Sequence, residues 1–195
     1  LEGIRIIDMG HIVAVLFATQ WLALMSAEVI LVESPHRPVN RMRPPYATGT
    51  PGVNRSGAFN LLNLSKLSLT VNLREEMGRQ IILDLAHMSD VVAENFSTGT
   101  VEKLGLGYRE LASVRPDIIL LSVSAAGRTG PMKDFVGFHA AVLMLSGMAS
   151  ITGYPGGHPR ILGSVFPDPL SGMYGVYSLL LALYQRSKTG VGLHI

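Results

Sequence analysis

"IVAVLFATQWLALMSAEVILV", residues 12–32, is the stretch whose reading decides the fold. It carries one charge, Glu28, and is long enough to cross a bilayer as a single helix. Its character changes within the run, however. Residues 14–26 suit a helix, whereas "EVILVE" (28–33) is β-branched with an acid at each end, the pattern of a buried strand. No basic segment or small-residue cleavage site precedes the run, so it does not read as a signal peptide. The expectation is a buried helix followed by a buried parallel strand, with no membrane span.

Working outward, the same alternation recurs. "IRIID" (4–8) reads as a strand before that helix, and a Pro- and Gly-rich loop follows "VILVE" (29–33). Next come a strand "SLTVNL" (68–73), an amphipathic helix "EEMGRQIILDLAHM" (75–88) and a strand "DVVAEN" (90–95). Two short helical pieces lead to a strand "DIILLSV" (117–123), and residues 139–150 and 168–187 read as further helices. Strands alternating with helices imply a doubly wound parallel α/β sheet, with its ligand site beyond the carboxyl ends of the strands. No internal repeat or low-complexity tract interrupts the pattern.

Composition narrows the partners. Charged residues make up 15% of the 195-residue chain, against about 25% in an ordinary soluble domain. With a mean hydropathy of +0.34, much of the surface is expected to be covered in the working protein. The net charge is only +2, and the basic residues are scattered apart from Arg37, Arg41 and Arg43. That favours a small anionic ligand over nucleic acid, which would call for a basic stripe with interleaved aromatics. There is no cysteine, hence neither disulfide nor thiolate nucleophile, consistent with a reducing compartment.

The strand ends carry no G-x-G-x-x-G, no P-loop, no G-x-S-x-G elbow and no metal-ligand spacing. They do carry His11, "ENF" (94–96) and "SAAGRTGP" (124–131). Near the C-terminus, "SVFPDPLSGMYGVYSLLLALYQRSKTG" (164–190) places Asp168 at the mouth of a long apolar helix. Asp is a favoured N-cap, with Pro169 then at the first helical position. A carboxylate at a helix N-terminus is also held ionised by the free N–H groups, and an oriented carboxylate can attack a carbonyl carbon. Local sequence favours the cap, and whether Asp168 also does chemistry is left open at this point.

The order of the segments carries a resemblance. "LEGIRIIDMGHIVAVLFAT", "AEVILVE", "SKLSLTVNL", "VVAENF", "LGLGY", "GRTGP", "LSGMASITGYPGGHPRILG", "PDPLSGMYG" and "RSKTGVG" resemble, in unbroken order, the family III CoA-transferases, the superfamily that includes the α-methylacyl-CoA racemases. The resemblance implies that residues 1–195 form the Rossmann-like large domain, with flanking helices, cut off before a second, smaller domain. It implies an interlocked homodimer or a hetero-oligomer, acyl-CoA and a carboxylic acid as substrates, and no covalently bound cofactor or metal. A cytoplasmic setting is expected, with mitochondrial or peroxisomal placement also open.

The resemblance further implies roles for individual residues. Asp168 falls on the nucleophile of a D-x-x-x-G segment, with Gly172 beyond it; its carboxylate forms an acyl anhydride and then an aspartyl-CoA thioester. CoA contacts are implied at His11, Val13 and Ala14 after the first strand, and at Asn95, Phe96 and Arg128 farther along. Lys66, in "NLSKLS", is implied as a point charge for a phosphate. Two departures stand out: Val15 and Leu16 replace a Gly-Pro pair, and Phe138 stands where the racemases carry histidine, with His139 one position on. The alternatives are a racemase and a non-catalytic partner subunit. The identity of the acid stays open among formate, succinate, carnitine and aromatic acids.

Overall fold

A computed structural model describes residues 1–36, 38–163 and 165–195. Arg37, one of the three clustered arginines, and Ser164 lie outside the described residues. Stretch 12–32 resolves into helix α1 (Ala14–Leu24) and strand β2 (Glu28–Glu33). Met25 closes the helix, and Ser26, at φ 71°, turns the chain into the strand. Among the described residues no helix is long and apolar enough to cross a membrane.

Strands β1 (Arg5–Asp8), β2, β3 (Leu67–Thr70), β4 (Val91–Glu94), β5 (Ile119–Ser122) and β6 (Leu193–His194) form one sheet. Its order is β3-β2-β1-β4-β5-β6, and every pairing is parallel. Alternate side chains of the inner strands enter opposite apolar layers. Ile6, Val91, Ala93, Ile119 and Leu121 meet α1 and the long helix α8 (Pro167–Thr189). Ile7, Val92, Ile118 and Leu120 meet α3 (Glu76–His87) and α5 (Tyr108–Val114) on the other face. Burial on both faces explains why the strands read as continuous apolar runs. The order reverses at β1, whose neighbours are β2 and β4, and this switch point opens a crevice at the carboxyl edge.

Several expectations need correction. The proline-rich region after β2 contains a 3-10 turn (Ala47–Gly49) and helix α2 (Gly57–Leu62), the latter capped by the Ser56 hydroxyl accepting from Phe59 N–H. The two short pieces after β4 are α4 (Thr100–Lys103) and α5. The helix expected over 139–150 is two, α6 (His139–Leu145) and α7 (Met148–Ile151), because Gly147 adopts φ 75° between them. Asp168 is not an N-cap. Helix α8 begins at Pro167, with Phe166 in the cap position and no side-chain cap bond, so Asp168 is its second residue. Both flanking prolines are tolerated there because first-turn N–H groups have no intrahelical acceptor to lose.

Candidate active site

The crevice holds a cavity of about 570 Å³ between the β1 and β4 ends, the 133–142 segment and the first turn of α8. Its floor is the segment joining β1 to α1. Asp8 Oδ1 accepts from Gly10 N–H at 2.8 Å, turning the chain sharply after the strand. A Cβ on Gly10 would lie 2.7 Å from Val15 Cγ1, so only glycine fits. His11 and Asn95 then pair across the two strand ends: His11 N–H donates to Asn95 Oδ1 at 2.7 Å, and Asn95 Nδ2 donates to His11 O at 2.8 Å. Ile12 sits at φ 65°, a costly conformation for a β-branched residue. Asn40 holds it there, accepting from Ile12 N–H at 2.8 Å and donating to Gly10 O at 3.2 Å.

The β4 side is built around Glu94. Its buried carboxylate accepts from Phe96 N–H at 2.6 Å and from Arg128 at 3.0 Å, and Arg128 also pairs with Glu102. Burial pushes the Glu94 carboxyl above the usual carboxylate range, with hydrogen bonds from Ser122 and Phe96 N–H and the Arg128 charge opposing it. Phe96 is thereby aimed at His11, whose ring it meets edge-on at 5.1 Å.

Asp168 closes the opposite wall. Partial burial raises its pKa; His139, its own backbone N–H and Arg43 act in the opposite sense. Its place in the first turn of a 23-residue helix favours the anion as well. His139, the first residue of α6, lines the same cavity, and its Nδ1 is buried without a hydrogen-bond partner among the described residues. A half-buried carboxylate so placed, in the same cavity as an imidazole, suits nucleophilic attack or proton transfer.

The structure thus brings Asp168, His11, Ala14, Asn95 and Phe96 to one cavity. Val13 precedes α1 and is not among the lining residues. Lys66 does not reach the cavity. Its ammonium is paired with Asp8 at 2.9 Å, and its side chain is 1% exposed. In this arrangement the Lys66 ammonium is taken up within the protein and presents no charge to the solvent. Arg128 borders a second, more open depression with Tyr174 and His194, and its guanidinium is engaged by two carboxylates. Val15 is fully buried in the apolar layer behind the floor, so it crowds no ligand. Reasoning from sequence missed Lys133, Asp134 and Phe135 in the wall and Asn40 beneath the floor. The first three follow the "GRTGP" loop and so lie just beyond a strand end, a usable signal; nothing local marks Asn40. Among the described residues no cluster of three or more His, Asp or Glu side chains could hold a metal ion.

Comparison with known proteins adds a history to this geometry. The family model described as CoA-transferase family III matches residues 1–195. The formyl-CoA:oxalate CoA-transferase of Streptomyces avermitilis is 35% identical over 192 residues, covering 98% of this chain and 46% of that enzyme. The succinyl-CoA--L-malate CoA-transferase beta subunit of Chloroflexus aurantiacus is 37% identical over 198 residues, covering 100% of this chain and 48% of that subunit. A CAIB/BAIF family protein from Brucella suis superposes with a TM-score of 0.92 at 32% identity, covering 100% of this chain and 51% of that one. The chain spans about half the length of the curated relatives it matches.

Proposed function

The chain belongs to CoA-transferase family III, and from that premise we propose that Asp168 is the nucleophile of a CoA transfer between an acyl-CoA and a carboxylic acid. An Asp168 carboxylate oxygen attacks the thioester carbonyl carbon, the C–S bond breaks, and CoA leaves as thiolate, giving a mixed anhydride. The thiolate attacks the aspartyl carbonyl, releases the donor acid as carboxylate and forms an aspartyl-CoA thioester. The acceptor carboxylate attacks that thioester and expels the thiolate, which then takes the acceptor acyl group and frees Asp168. No net proton or electron is exchanged. The observation that carries the reading is the partly buried Asp168 carboxylate in the first turn of α8, facing the cavity at the switch point.

The named relatives act on oxalate and malate, both dicarboxylic acids. A dicarboxylate acceptor is the choice those names support; Lys133 lines the cavity as a cation that could pair with one carboxylate, next to the acid Asp134. Coenzyme A as substrate and the cytoplasmic setting rest on the family alone. Assembly into an interlocked homodimer or hetero-oligomer belongs to the same reading. It is supported by the apolar side chains that α8 leaves exposed, Met173, Tyr174, Tyr177, Leu181 and Tyr184.

The test is Asp168→Asn in the intact protein. Melting should be nearly unchanged, because asparagine is close to isosteric and the dipole contribution of a first-turn anion is about 0.3–1 kcal/mol. Transfer should fall by several orders of magnitude, since an amide cannot form the anhydride. Hydroxylamine with acyl-CoA should modify Asp168 in the wild type and leave the variant untouched. Transfer above about a hundredth of the wild-type rate would refute the assignment. A racemase reading is favoured by one observation, the His139 imidazole in the same cavity. It predicts deuterium wash-in at the carbon next to the thioester, which simple transfer does not.

A further inference from the structure

Lys66 is a fully satisfied cation that lies directly behind the cavity floor. Its Nζ donates to Asp8 Oδ2 at 2.9 Å, to Leu16 O at 2.9 Å and to Asn63 Oδ1 at 3.0 Å, which uses all three ammonium protons. Asp8 is fully buried at the end of β1 and takes two further bonds, from Thr19 Oγ1 at 2.6 Å and from Gly10 N–H at 2.8 Å. One side chain thereby joins the end of β1, the first turn of α1 and the turn before β3. A buried ion pair recovers little of its desolvation cost, so its retention suggests a need for fixed geometry.

The segment it fixes needs fixing. Between Asp8 and α1 the chain passes through Gly10, where no Cβ fits, and through Ile12 at positive φ. Asn95 and Asn40 hold the outer side of this segment, and Asp8 holds the inner side through Gly10 N–H. His11, Ile12 and Ala14 of this segment line the cavity. We propose that Lys66 is a positioning residue for the cavity ligand: through Asp8 and the Leu16 carbonyl it holds residues 10–14 in the conformation that forms the floor, and it touches no phosphate. The inference rests on the reading of the cavity as a CoA site.

The experiment measures binding of CoA, dephospho-CoA and pantetheine to the intact protein at a temperature where circular dichroism shows each variant folded. Lys66→Met strands the Asp8 carboxylate and releases the floor, so all three ligands should weaken by a common factor of about tenfold or more. In the double variant Asp8→Asn/Lys66→Met the pair is neutral and the amide oxygen still accepts from Gly10 N–H. Binding of all three should return to within a few-fold of wild type. A loss confined to the phosphate-bearing ligands overturns the inference in favour of direct contact. Unchanged binding by folded Lys66→Met overturns it in favour of a purely structural role. Should Lys66→Met fail to fold, the double variant decides: a common few-fold weakening of all three ligands, from the lost bond to the Leu16 carbonyl, supports positioning, and unchanged binding of all three or loss of CoA with pantetheine retained overturns it. Wild-type protein that binds none of the three overturns the CoA reading and this inference with it; the other adverse outcomes leave that reading standing.

Discussion

Gly172 and Gly175 lie on the same face of α8, and alanine at the two sites should change stability in opposite directions. Helix propensity alone treats the sites alike: Gly→Ala in a helix interior gains about 1 kcal/mol. The surroundings differ. A Cβ on Gly175 would meet Leu121 Cδ2 at 3.4 Å and Ala18 Cβ at 3.5 Å, ordinary contact that adds buried methyl surface. Gly175→Ala should therefore stabilise the protein by about 1 kcal/mol. A Cβ on Gly172 would lie 2.8 Å from Ala14 O and 2.9 Å from Phe17 Cδ1. Ala14 O belongs to the first turn of α1 and cannot retreat, so α8 must move instead. Overpacking of this kind costs about 1–3 kcal/mol, leaving Gly172→Ala destabilised by up to about 2 kcal/mol after the propensity gain. For a cooperative unit of about 150–250 residues each kcal/mol moves the melting temperature by about 2–4 °C. The shift also displaces Asp168, one turn before Gly172, from the floor at Ala14, and a displacement of about 1 Å can cost about a hundredfold in rate. Thermal unfolding and kcat/KM of the two variants of the intact protein provide the assay. Equal stabilisation of both would refute the close approach of α8 to α1, and a destabilised Gly172→Ala with full activity would refute the link to Asp168.

Two further perturbations probe charge. His139→Asn removes one of the influences that oppose the raised pKa of Asp168, so the acid limb of transfer should move to higher pH, with rates near neutrality much less affected. His139→Lys, which keeps a cation, should hold the limb near its wild-type position; an unmoved limb in both variants would show that His139 does not act on Asp168. Glu94, raised by burial, binds its proton more tightly folded than unfolded, so its contribution to stability declines as pH rises through and above the usual carboxylate range. Glu94→Gln should therefore gain on wild type in urea midpoints as pH rises through and above the usual carboxylate range, and parallel profiles would contradict the assignment.

What was legible in sequence was whatever depends on neighbours along the chain. The change from a helical to a β-branched pattern inside residues 12–32 was enough to reject a membrane span. The recurrence of that alternation led to a parallel sheet, which the structure arranges in the order 3-2-1-4-5-6. Strand-end position likewise singled out His11, Asn95 and Phe96, because in such a sheet the carboxyl edge is where a crevice opens, whereas Asp168 was marked by its place at the mouth of the last helix. Element ends were less legible: two prolines flank Asp168, both fit a helix's first turn, and local rules did not choose between them.

Only the tertiary structure decided the fate of the charges. Lys66 and Arg128 both looked like ligands for an anion. Each instead meets a buried carboxylate distant in sequence, Asp8 across 58 positions and Glu94 across 34. Asn40 supports the floor from 28 residues away, and Val15 turns its bulk into the core rather than toward a ligand. The physical reason is the same in each case. Periodicity and propensity are short-range and survive in the one-dimensional pattern, whereas the cost of burying a charge or an amide can be met only by a partner in space. Sequence thus determined the layers and the edge at which a site forms; packing determined which polar side chains of that edge face a ligand and which hold the edge in place.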